Sequence, residues 1–155
     1  MVAVGPWPAT ERGRSVTPTL LGRLQTRIFA LATVGGLWTL VITPLLPGMG
    51  PLSAAYRTTF VVLALVLLLG LGWELLYHVL QQFRWEKDWP QLFGLVTGLN
   101  EGLLTWFVLR GLGQEIPGWA FLVHFATTWV LVWVFVNGPM RVLFIRWRFS
   151  GGRLR

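Results

Sequence analysis

Four ionisable side chains lie inside long apolar stretches: Glu74, His78, Glu101 and His124. Carboxylates and imidazoles surrounded by hydrocarbon lend themselves to three kinds of chemistry. In series they pass protons, gathered together they ligate a borderline metal ion, and hydrogen-bonded to one another they hold helices in register. Glu74 and His78 are one helical turn apart, and Gln81 and Gln82 continue the same face at i+7 and i+8, with Gly70 extending the row. Thr97, Glu101 and Thr105 form a second row at four-residue spacing, and His124 shares a face with Thr127 and Thr128.

The spacing narrows these options. Glu74 and His78 make Glu-x-x-x-His, whereas di-iron bundles use Glu-x-x-His. At 1.5 Å per residue, His78 and His124 differ in depth by about 12 Å, which a bis-histidine haem does not tolerate. No metal or other cofactor is therefore expected. The chain has no cysteine, so disulfides, thiolate catalysis and zinc–thiolate sites are excluded. It also lacks a nucleophile motif, a phosphate-cradling glycine loop and a metal-binding motif. No catalytic residue is assigned, and a non-enzymatic role is favoured.

The elements that carry these residues are legible from hydropathy. Only 12% of the 155 residues are charged, against about 25% in a soluble domain, and the mean hydropathy is +0.61. The apolar residues fall into four blocks, each about long enough to cross a hydrocarbon core of roughly 30 Å. The reading is an all-α, polytopic four-helix membrane bundle over residues 23–143, with spans near 28–46, 58–80, 90–109 and 117–139. Residues 1–22, rich in Pro, Gly, Ser and Thr without apolar period, read as a disordered tail. Residues 144–155 read as a basic tail.

Charge placement gives an expected direction. With the N-terminus in the cytoplasm, the inner side receives 11 of the 13 basic residues: Arg12, Arg14, Arg23, Arg27, Arg84, Lys87 and the five arginines from Arg141 onward. The outer side receives Arg57 and Arg110. The positive-inside rule then sets both termini in the cytoplasm. The formal charge of +7 is accounted for by these flanking residues, so nucleic acid is not an expected partner. Arg outnumbers Lys twelve to one, with Lys87 the single lysine, as in GC-rich bacterial genomes. The expected location is the cytoplasmic membrane.

Three further features carry expectations. Gly94, Gly98 and Gly102 make a small-xxx-small ridge on span three, which lets a neighbouring helix approach closely. Glu101 lies about 60° round the helix from that ridge and should therefore face protein. The inner connector Arg84, Trp85, Glu86, Lys87, Asp88, Trp89 mixes both charge signs with two indoles. It reads as an interfacial anchor or a docking face for a partner. Arg146, Trp147 and Arg148 alternate cation and aromatic and suit the anionic headgroups of the inner leaflet.

Glu74, Glu101 and His124 come from three helices to the middle of the bilayer, and His78 is shallower. Glu74 is about 13 Å and Glu101 about 16 Å above the inner edge, while His124 is about 20 Å above it and His78 about 8 Å. A lone charge there costs about 2.5–3.5 kcal/mol on insertion scales, so the four are expected to meet inside the bundle. Two functions follow as expectations. One is an accessory or structural subunit of a membrane complex or a homo-oligomer, contacting its neighbours through the aromatic row Phe121, Phe125, Trp129 and Trp133 and the inner connector. The other is a small proton- or ion-coupled carrier that uses the Glu/His cluster.

Overall fold

A computed structural model describes residues 20–82 and 91–143. The expectations for the N-terminal tail, for Arg84, Trp85, Glu86, Lys87, Asp88 and Trp89, and for Arg146, Trp147 and Arg148 lie outside these residues. Every described element is helical. Helix α1 covers Leu20–Leu45, α2 Leu52–Gln82, α3 Gln91–Gly111 and α4 Gly118–Asn137; a short α5, Pro139–Leu143, continues beyond Gly138. Among the described residues, three helices are long and apolar enough to cross a membrane: Leu20–Leu45, Leu52–Leu80 and Gly118–Val142. Helix α3, of 21 residues, is the fourth long helix but is not among these three.

Helix α1 begins one turn or more before the apolar block that starts at Ile28, so Arg23 and Arg27 belong to the helix rather than flanking it. It is not uniform. Leu31–Gly35 forms a π turn, where the Gly36 amide donates to both Leu31 O and Thr33 O. The extra residue moves the buried stripe by one position. Gly22, Thr26 and Ala30 are buried before the turn, and Leu31, Gly35, Thr39 and Thr43 after it. Thr43–Leu45 tightens to a 3₁₀ turn containing Pro44. Leu46 then turns extended, at φ −76° and ψ 131°, the conformation that the following Pro47 imposes on its predecessor. Gly48 and Gly50, both at φ +70°, carry the chain into α2.

The four helices pack as a ring in which α1 and α3 each touch α2 and α4. The interior combines apolar side chains such as Leu31, Val62, Val66, Leu109 and Phe125 with nine buried polar ones, among them Thr39, Thr59, Thr105, Glu101 and His124. Large apolar side chains cover the outside, including Leu37, Leu68, Leu99, Phe107 and Val142. A protein bathed in water sorts its residues the other way. In hydrocarbon, where lipid tails are as apolar as leucine, polar side chains turn inward and apolar ones stay outside.

Candidate functional site

Arg27 is the organising residue of the interior, and the apolar-block boundary had set it outside the span. From α1 its guanidinium reaches Glu74 on α2, with Nη1 donating to Oε1 at 3.5 Å, and Glu101 on α3, with Nη2 donating to Oε2. The side chains of Arg27 and Glu101 are 10% and 2% exposed, and that of Glu74 is 22% exposed. One cation therefore ties three helices together. Gly70 on α2 makes room, since a Cβ there would collide with the guanidinium. The ring of Trp129 on α4 lies 5.4 Å from Arg27 Cζ, a cation–π distance that brings the fourth helix into the cluster.

Trp129 is held in turn by α3. Its indole Nε1 donates to Leu95 O at 3.3 Å, and the ring occupies the space over Gly98, where a Cβ would strike it. Phe125 fills the corresponding space over Gly102, 2.7 Å from an ideal Cβ. Phe121, Phe125 and Trp129 stack in sequence, at 5.7 Å and 5.9 Å between centroids. The glycine ridge of α3 is thus a seat for aromatic rings of α4. This revises the expectation that Phe121, Phe125 and Trp129 present an outward contact face, because Phe121 and Phe125 are buried inside the chain's own bundle. Gly94 lies in α3, but its surroundings are outside the described residues.

The histidines do not join the carboxylates. His124 is 1% exposed, and its Nε2 pairs with Thr39 Oγ1 at 3.0 Å. One turn along α1, Thr43 Oγ1 meets Thr59 Oγ1 of α2 at 2.9 Å. Trp38 Nε1 donates to Thr127 Oγ1 at 2.8 Å beside them. This hydroxyl-rich cluster lies toward the α1 C-terminus, Thr39 being twelve residues beyond Arg27 along the helix. His78 is partly exposed on α2 and makes no hydrogen bond or ion pair with another described residue. The expected four-residue cluster is therefore replaced by two layers: a charged one of Arg27, Glu74 and Glu101, and a neutral one of His124 with threonines. Among the described residues, no three His, Cys, Asp or Glu side chains gather as a metal site would require.

One signal for Arg27 was present in the sequence. Two carboxylates inside apolar spans call for a counter-charge, and Arg27 is the basic residue nearest an apolar block on the expected inner side. Thr39 and Trp129 carried no such signal, because a threonine or an aromatic residue in a span has many uses.

The chain matches no protein-family model, and comparison with curated proteins and with solved structures finds no significant match.

Proposed function

We propose that this chain is a multi-pass protein of the bacterial cytoplasmic membrane, with four spans and both termini inside, that serves as a structural or accessory subunit of a larger membrane assembly. The observation that carries this reading is the Arg27 clamp. Arginine keeps its proton in proteins, so Glu74 and Glu101 are occupied as counter-ions to a permanent charge. Such a group fixes helix positions and is a poor relay for protons. The clamp also sets two carboxylates against one guanidinium, and Glu74 is the member left partly open. That edge of α2 suits contact with a basic or hydrogen-bonding group of a neighbouring subunit. The inward-polar, outward-apolar arrangement supports the membrane assignment. The excess of basic residues on the N-terminal and C-terminal side supports the orientation even with Arg27 engaged.

A second reading, a proton-coupled carrier, draws support from two buried polar pairs, His124 with Thr39 and Thr43 with Thr59, linked through the Thr39 carbonyl. One experiment separates the two. The protein is extracted in mild detergent for native mass spectrometry, and the purified chain is reconstituted in proteoliposomes carrying a pH dye. A stoichiometric complex and no proton flux from the isolated chain are expected. Flux from the isolated chain that Glu101→Gln abolishes would overturn the subunit reading.

A further inference from the structure

Five threonines of this bundle behave alike: Thr26, Thr33, Thr43, Thr105 and Thr127 each donate to the carbonyl four residues back, at 2.6–2.7 Å. Thr128 departs from the pattern. It is 4% exposed, and its Oγ1 has no protein partner. One turn away, His124 is 1% exposed and uses only Nε2, leaving Nδ1 without a protein partner as well. Both side chains line the same cavity of about 10 Å³, together with Leu31, Val66, Phe125 and Trp129. A water molecule needs roughly 10–15 Å³ on this measure and at least two polar neighbours. A buried hydroxyl or imidazole nitrogen left unpaired is costly, because it has given up hydrogen bonds to bulk water and gained none.

We infer that this cavity is a binding site for one water molecule, which bridges His124 Nδ1 and Thr128 Oγ1. Size and lining select the ligand. The room excludes anything much larger than water, and the paired polar atoms distinguish the site from a dry apolar void. The water also fixes the imidazole from its second nitrogen, as the Thr39 hydroxyl fixes it from the first. The Thr39–His124 pair thereby gains two members and ends beside Trp129, which also lies over the Arg27 guanidinium. Gly35 borders the site, since an ideal Cβ there lies 3.6 Å from Thr128 Cγ2 and 3.5 Å from Leu31 Cδ2.

Water-edited solid-state NMR of the intact protein in bilayers, with labelled histidine and threonine, tests this directly. Magnetisation should pass from water to the His124 ring and the Thr128 hydroxyl carbon, and not to Thr105, which is buried away from the cavity with its hydroxyl bonded to Glu101 O. In Thr128→Val, which keeps the side-chain shape, the transfer to His124 should lose most of its intensity. No transfer to His124 in the parent would overturn the site; Thr128 would then bond the carbonyl of His124 as the other threonines bond theirs. Undiminished transfer in Thr128→Val would overturn the bridge. The parent measurement stands even if the variant does not fold.

Discussion

Arg27 contributes one positive charge to a cluster that Glu74 and Glu101 give two negative ones, and this imbalance sets the response to isosteric substitution. Glu74→Gln leaves Arg27 balanced by Glu101, and Glu101→Gln leaves it balanced by Glu74. In both variants the amide oxygen still accepts a hydrogen bond. Each single change is expected to shift the melting temperature in detergent by a few degrees at most. The double variant leaves a buried guanidinium with no counter-ion and is expected to be far less stable, with a coupling energy of about 1–3 kcal/mol. Additive effects in this cycle would show that the carboxylates do not share Arg27. Arg27→Met removes the cation and strands both carboxylates, a loss of about 3–5 kcal/mol by analogy with broken buried ion pairs. Thermal unfolding of the four purified variants measures all of these. Arg27→Lys is not a conservative change here, because one ammonium cannot present two separated donors as a planar fork does.

At the scale of the helix, packing rests on the fit of small residues to aromatic rings. Gly98→Leu would drive a branched side chain into Trp129, whose ring already touches Arg27. It is expected to separate α3 from α4, lower the melting temperature and disturb the Arg27 cation–π contact together. Tryptophan fluorescence during thermal unfolding reads both; unchanged melting and emission would mean that Trp129 does not occupy that groove. Gly36→Ala serves as the control, since nothing lies within 4 Å of a Cβ there. The extent to which these elements were legible in the sequence follows from what is local. Four apolar blocks gave the helix count, and the 3.6-residue period gave the face on which Glu101, Gly98 and Gly102 lie. The start of α1 was not legible, because Arg23, Gln25 and Arg27 interrupt the apolar run although the backbone is helical from Leu20. Which residue meets which across the bundle is not a local property. Depth along the membrane made His124 and Glu101 near neighbours, whereas rotation of α4 sends His124 to Thr39 and Trp129 to the charged layer.

For the whole molecule, the proposed orientation yields a topology map. A reporter active only outside the cytoplasm is expected to work when inserted in the turns 47–51 or 112–117. It is expected to fail at either terminus. An active C-terminal fusion would contradict an even number of spans. The arrangement of charge also predicts that solubilisation matters. If a neighbouring subunit covers that edge of α2 as proposed, detergents that strip it uncover Glu74, and the purified chain should then melt at a lower temperature than the chain within its complex. Equal melting temperatures in both forms would argue against a contact at that edge.

The order in which the clamp is made has a consequence for synthesis. Arg27 leaves the ribosome 74 residues ahead of Glu101. At about 5–20 residues per second, the interval is about 4–15 s. Glu74 follows 47 residues behind; until it emerges, α1 of a chain inserted as proposed carries a guanidinium that neither carboxylate neutralises. Its long stem allows the charge to reach back toward the lipid headgroups, so α1 would first settle high, near the cytoplasmic surface. It would be drawn to its final depth only when Glu74 and then Glu101 emerge. Nascent chains stalled before residue 74 should therefore leave a probe at Arg27 open to a water-soluble reagent, and chains stalled after α3 should protect it. Insertion of the first helix would then be completed by the third, and a fragment ending after α2 would remain in the register of an intermediate.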